Sequence, residues 1–398
     1  MQQSGTREWF MLGALAAIWV FFAWQEPVFL SARNLSLLSI ELAVTATLAL
    51  GMLLVLLPGH IDLSVGSGVG LTGAVAAVLI TWHGVPAPVA LLLAALAALV
   101  IWALMGALVV VERVPAFIIT LGGLLVFRGL HWLVIDSSTV PVVAGGSQNA
   151  YSMLTTAFLP PLGSYILAAV AVVALVLVSR HRRAARQRLG LAVADNERHL
   201  LGLFIAAQGI LLTVVIANDY RGLPLALLIL AAVALLVHVV TMHTPFGRYL
   251  YAIGGNQEAA VVSGVPVRNT VIGAFALTGG IVALTGFMQT AYSGATTTTI
   301  GSLMELDAVA ACVIGGTSLR GGRGSVAGVL FGALIMASLL NGMTLMAVSP
   351  EVKYIARGGV LALAVWLDLR VRHRSSDPLS VRQPTEPRAL RLTIEAHF

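Results

Sequence analysis

The residues able to do chemistry in this chain are few and scattered. Lys353 is the only lysine among 23 basic residues, and it sits in Pro350-Glu351-Val352-Lys353-Tyr354. A phosphate-cradling loop needs a glycine-rich turn ending in Gly-Lys-Ser/Thr. The chain has no such loop, so it carries no nucleotide site of this kind. Cys312 is the single cysteine. It rules out an intrachain disulfide and a cysteine-based zinc site, and its apolar surroundings mark it as a small buried side chain. The nine histidines fall into no His-Glu-x-x-His or comparable metal spacing. No catalytic residue, metal or cofactor is therefore expected. What remains is a handful of ionisable groups in apolar stretches: Asp62 and Arg128 first, then Glu41, Glu305 and Asp307. Charge inside a membrane segment is costly and marks a site worth a hypothesis.

The elements that must hold these groups are set by composition. The chain of 398 residues is 58% hydrophobic and 10% charged, with a mean hydropathy of +0.94. A soluble domain carries about 25% charged residues, so the bilayer is the natural solvent. The expected fold is all-α, a polytopic transmembrane bundle over residues 1–370 with 10–12 spans, some broken or re-entrant. A span needs about 20 mostly apolar residues. Twelve candidates are 9–29, 36–57, 63–82, 87–111, 115–135, 162–179, 200–217, 222–240, 269–290, 305–318, 325–347 and 352–369. Segment 305–318 is short and carries Glu305 and Asp307, as a half-helix would. Pro58-Gly59-His60-Ile61-Asp62 is a polar interruption between two spans.

The positive-inside rule favours both termini in the cytoplasm. That choice puts 18 of the 23 basic residues inside, leaving out Arg33, Arg128, Arg221, Lys353 and Arg357. A basic loop at 180–199 and the tail cast the strongest votes. Residues 371–398 are polar and proline-containing and read as a disordered cytoplasmic tail whose arginines face anionic lipid. No aromatic-interleaved basic surface accompanies it, so no nucleic-acid partner is expected. Trp9, Trp24, Trp82 and Trp366 lie near span ends, as interfacial anchors do; Trp102 and Trp132 read as lipid- or core-packing residues rather than ligand-stacking ones.

The cytoplasmic loop 241–268 has its own local order. Asn256 is a good N-cap and Glu258 falls in the first turn, where the helix dipole favours an anion. Gly264 can end the helix and Pro266 forbids continuation. The expected element is a two-turn helix, Gln257–Ser263, made smooth by Ala259 and Ala260. Docking into a groove of another protein and plain connection both remain open on these grounds. A weak internal echo also appears. Gly59-His60-Ile61-Asp62-Leu63-Ser64-Val65-Gly66-Ser67 and Gly316-Thr317-Ser318-Leu319-Arg320-Gly321-Gly322-Arg323-Gly324-Ser325 each open a small-residue helix, as duplicated transporter halves do.

Glu258-Ala259-Ala260 with Gly264 resembles the EAA loop of ABC importer permeases. The stretch 59–67 resembles a GGIDLSVGS-like signature of the monosaccharide permeases, with His60 departing from it. Val114-Pro115-Ala116-Phe117-Ile118-Ile119-Thr120-Leu121-Gly122, Phe127-Arg128-Gly129 and the block Glu305–Leu319 extend the likeness from about Ser31 to Asp368. The chain thus resembles the ribose, galactose and xylose type of permease, and the extra region around 180–224 is similar to the xylose-type members. The resemblance implies a pore-forming subunit, not an enzyme. Its partners would be cytoplasmic ABC ATPase subunits, a periplasmic sugar-binding protein and a second permease copy. Gly255, Asn256, Glu258, Ala259, Ala260 and Gly264 would meet the ATPase. A neutral pentose needs hydroxyl partners and no fixed charge, so Asp62, Ser64, Arg128, Glu305 and Asp307 are expected to be structural or to border the pathway. Asp62 is expected to cap the helix that starts near Leu63, and Arg128 to neutralise a carboxylate on a neighbouring span. The competing class is an ion-coupled secondary transporter, which requires an embedded carboxylate or histidine relay and no docking helix.

Overall fold

A computed structural model describes residues 2–143, 148–191 and 196–375. In chain order its elements are α1 (Gln2–Gln25), a 3-10 turn (Pro27–Leu30), α2 (Ala32–Leu56), α3 (Val65–Thr81), α4 (Ala87–Val111), α5 (Ala116–Val134), β1 (Val140–Pro141), α6 (Met153–Thr156), β2 (Phe158–Leu159), α7 (Pro161–Arg188) and α8 (Asn196–Asn218). There follow β3 (Leu223–Pro224), α9 (Leu225–His243), α10 (Pro245–Gly255), α11 (Gln257–Val262), α12 (Val267–Ser293), β4 (Ala295–Thr296), α13 (Met304–Ile314), α14 (Val326–Leu345) and α15 (Pro350–Ser375). Among the described residues, α2, α4, α5, α7, α8, α9, α12 and α14 are long and apolar enough to cross a membrane. Met11–Gln25 and Val65–Thr81 are shorter apolar helices. The polytopic all-helical bundle is what the composition requires.

The core is built around α2 and α12. α12 packs on α2, α3 and α4, and α2 also meets α9, α13 and α14. The inward helices are buried nearly all round, as Leu48 to Leu57 show. The outer helices keep large apolar side chains exposed, such as Leu125 on α5, Val170 on α7 and Leu235 on α9, which suits lipid contact. Two short antiparallel ribbons tie the ends of the bundle: β1 with β4, pairing Val140 with Thr296, and β2 with β3, pairing Phe158 with Pro224.

Two details depart from the sequence expectations. The 180–199 stretch is largely helical, because α7 runs on through Arg188. Alanine, arginine and glutamine are all good helix formers, and the first break is Gly190 with φ 66. Residues 371–375 belong to α15, while 376–398, the remainder of the expected tail, lie outside the described residues. Segment 305–318 is the short element that its length and acids suggest. α13 has 11 residues, about 16 Å at 1.5 Å per residue, half of a ~30 Å hydrocarbon core. It is reached by an irregular segment, 297–303. The Trp132 indole donates to the Thr298 carbonyl at 3.2 Å, and a Cβ on Gly301 would overlap the Gly66 carbonyl. Between α12 and α14 the chain therefore traverses the bundle as an irregular entry and a half-helix. Such backbone survives at membrane depth only inside protein, and the glycine face of α3 provides that wall.

Candidate functional site

The loop between α9 and α12 forms a knob at one end of the bundle. Thr244 caps α10, its hydroxyl accepting from Gly247 N–H at 3.2 Å. Asn256 ends α10 and caps α11, accepting from Ala259 N–H at 3.0 Å. Glu258 lies in the first turn of α11. Gly264 sits at φ 79, where the Val265 amide donates to the Ala260 carbonyl at 3.0 Å. Left-handed geometry explains the glycine. The helix ends at Val262, with Ser263 as its C-cap. Gly255, Asn256, Glu258, Ala259 and Gly264 are exposed, whereas Ala260 is 5% exposed and anchors the knob to the bundle. Val262 is 88% exposed. A valine that bare, on a short rigid helix, has the character of a contact point.

Behind the knob the two echoed segments meet. The Gly322 amide donates to the Leu57 carbonyl at 2.9 Å. A Cβ on Gly321 would touch the Gly59 backbone, and one on Gly254 of α10 would overlap the Leu57 carbonyl. The Tyr251 hydroxyl of α10 donates to the Gly324 carbonyl at 2.8 Å. Burial raises that phenol above its ordinary range, so it stays a donor. α10 is thus wedged against both breaks, 57–64 before α3 and 315–325 before α14, through backbone contacts that no larger side chain would permit.

The ionisable residues divide into three settings. Asp62 is fully buried and accepts three hydrogen bonds. One oxygen takes the Ser64 amide at 2.8 Å and the Ser64 hydroxyl at 2.5 Å, and the other takes the Trp102 indole at 2.7 Å. It therefore braces the start of α3 against α4, which is more than capping. Trp102 is core, as expected, and adds a polar tie the sequence did not show. Glu305 and Asp307 occupy the first turn of α13 and are 7% and 6% exposed. The Glu305 carboxylate lies where a Cβ on Gly66 would stand, and Arg128 and Arg357 are near enough for their charges to act on it. Asp307 pairs with Arg357 of α15 at 3.3 Å. Arg128 itself is exposed midway along α5. The structure thus brings Asp62 and Ser64 together, and gathers Glu305, Asp307 and Arg128 with Arg357, but joins neither group to the α11 knob.

The sequence reading left unassembled one cluster at the other end of the bundle. Glu41 accepts from the Tyr292 hydroxyl at 2.9 Å and from the Asn341 amide at 3.1 Å, and Asn34 donates to Asn341 at 2.9 Å. Tyr292 and Asn341 lie 251 and 300 residues from Glu41, so no local spacing joins them to it.

The Asp307–Arg357 pair yields a direct expectation. Arg357→Met should destabilise the protein by about 3 kcal/mol, the low end for breaking a buried pair, since the arginine keeps 21% of its side chain exposed. Adding Asp307→Leu should restore at least half of the lost melting temperature in detergent. A double variant no better than the single one would mean the carboxylate serves another partner.

Comparisons with known proteins agree with this geometry. The family model described as branched-chain amino acid transport system / permease component matches residues 34–365. The xylose transport system permease protein XylH of Escherichia coli K12 is 41% identical over 366 residues, covering 92% of this chain and 92% of that protein. XylH of Haemophilus influenzae is 41% identical over 359 residues, 90% and 95% of the two chains. The ribose import permease protein RbsC of Escherichia coli K12 is 33% identical over 367 residues, 91% and 95%. No solved structure gives a significant match. With a family match over most of its length on a multi-pass helical body, the chain belongs to the transport-system permease components of this family.

Proposed function

We propose that this chain is the membrane-spanning subunit of an ATP-driven ABC importer that carries D-xylose across a bacterial inner membrane. The observation that carries the cargo is the graded similarity, 41% to xylose permeases against 33% to a ribose permease at equal coverage. The energy source is external, because a single lysine outside any glycine-rich loop cannot cradle a nucleotide. ATPase subunits dock on α11 in the cytoplasm, both chain termini lie on that side, and a sugar-binding protein delivers xylose to the opposite end. When the ATPases close, α11 and α10 shift together. The wedge of Gly254 against Leu57 and Gly321 passes that shift to the two breaks that begin α3 and α14. The test is uptake of labelled xylose in a strain lacking its own xylose permease but retaining the matching ATPase and binding protein. Xylose uptake should be restored, excess ribose should compete weakly, and collapse of the proton gradient should leave uptake intact while ATP lasts. Uptake that follows the proton gradient instead would overturn the reading.

A second copy completes the pathway. Arg128 stands exposed in mid-span on α5, where facing lipid would cost at least about 2.5 kcal/mol. Cβ positions at Gly122 and Gly129 of α5, and at Gly358 and Gly359 of α15, meet no heavy atom within 4 Å. Open small-residue faces beside an exposed guanidinium suit close approach of another helix. With Cys312 replaced by alanine, Gly129→Cys should cross-link to a dimer under mild oxidation, and Leu235→Cys on lipid-facing α9 should not. The reverse pattern would place the second copy elsewhere.

A further inference from the structure

Beside the α11 knob lies a cavity of about 550 Å³. Its walls come from four places: His60 from the break before α3, Val109 and Arg113 from the end of α4 and the turn after it, Gln257 from α11, and Arg268 from the first turn of α12. Pro115 and further valines make the rest apolar. Two arginines, a histidine and a glutamine thus line one concave space. No carboxylate stands on its wall; the nearest in sequence, Glu112 and Glu258, lie outside it. Neither the Arg113 nor the Arg268 side chain makes a hydrogen bond or ion pair among the described residues, where the ion pair formed is Arg357–Asp307. The His60 ring lies 6.2 Å from that of Phe275. The transport reading leaves this set unused.

Two arginines that can fork onto oxygens, with neutral donors beside them, match a phosphate better than a neutral sugar. The volume falls in the range of small-molecule sites, about 300–1,000 Å³. That exceeds what a single carboxylate from a docked protein would fill, and the apolar wall suits a carbon body. We propose that this cavity binds a small phosphorylated metabolite of pentose-phosphate size on the ATPase side, and that its occupancy slows transport. The reason is mechanical. The cavity joins the break before α3 to the starts of α11 and α12, the elements the ATPase must move relative to one another. A bridging dianion holds them in one arrangement. This inference rests on the importer reading for its effect on transport, though not for binding.

The test uses the complete importer in nanodiscs, where both faces are open, with ribose 5-phosphate as the ligand. The ATPase rate stimulated by xylose-loaded binding protein should fall at least threefold and saturably as ribose 5-phosphate is added. Neutral xylose added alone beyond the loaded protein should change nothing. In the R113Q/R268Q double variant the half-effect concentration should rise at least tenfold with the uninhibited rate retained. An unchanged wild-type rate overturns the proposal. So does equal inhibition in the double variant, which would place the effect at the nucleotide site. Loss of the ATPase subunits from the purified double variant would also overturn it, by making the cavity a protein socket. Binding of ribose 5-phosphate to the full-length permease without its partners, lost in the double variant, is measured separately. It supports or defeats the site even if xylose stimulates nothing, a result that would count against the importer reading alone.

Discussion

Asp62→Leu should leave almost no folded protein in the membrane. The carboxylate is fully buried and holds the Ser64 amide, the Ser64 hydroxyl and the Trp102 indole. Leucine removes the acceptor and strands these donors in an apolar interior, at about 1–3 kcal/mol for each one left unmet. The sum is several kcal/mol, against a total stability of about 5–15 kcal/mol. Packing suffers too, because Trp102 lies against Gly68 and Gly279 and cannot turn to seek another partner. Asp62→Asn keeps an acceptor oxygen and should lose far less. Size-exclusion profiles and melting curves in detergent read both variants. An Asp62→Leu protein that melts within about 1 °C of the parent, about what a 1 kcal/mol change gives a chain of this length, would show that the knot is not structural. A well-folded Asp62→Asn protein that fails to transport would move Asp62 from scaffold to pathway.

The second large effect separates two ways of breaking the drive. Val262→Glu puts a charge on an almost fully exposed valine of α11 and should cost the ATPase its hold. The expected result is loss of co-purifying ATPase and at least a tenfold drop in uptake, with the permease inserted normally. Gly254→Val acts one step deeper. Its side chain would collide with the Leu57 carbonyl and the Gly322 amide, prising α10 from both breaks while leaving α11 exposed. ATPase should still co-purify and hydrolyse ATP, yet uptake should fall as far. Equal ATPase loss in both variants would mean that the glycine wedge only shapes the docking face. Unimpaired uptake in Gly254→Val would remove the wedge from the drive altogether.

Much of this architecture was legible because lipid imposes simple rules. Each of the twelve apolar stretches contains a helix, and 87–111 matches α4 end to end, since Pro86 starts it and Glu112 stops it. The α11 helix was readable from Asn256, Glu258 and Gly264 alone, because caps act within one turn. Where local and global signals diverge, the sequence misled. Arg180 to Arg188 looks like a loop by charge, but its residues prefer helix and nothing stops them before Gly190. The contents of the site were mostly out of reach. The tie of Asp62 to Trp102 spans 40 residues and that of Glu41 to Asn341 spans 300. Such pairs are chosen by packing in three dimensions and leave no periodic trace. The meeting of the 59–67 and 316–325 segments was foreshadowed only as a likeness, and their contact needed the fold.

The half-helix α13 has a consequence for how the protein is made. Eleven residues opening with two acids offer an insertion machine little to recognise as a span. The irregular stretch at 297–303 would carry bare peptide groups into lipid if it entered alone. α3 and α5 must already stand in the bilayer, so that Gly66, Gly70 and Trp132 can receive the incoming backbone. Biogenesis of this permease is therefore ordered. The N-terminal helices are laid down first, and the tenth of the twelve apolar segments, counting Met304–Ile314 in its half-crossing, is threaded later into a slot they have prepared, with α14 closing behind it.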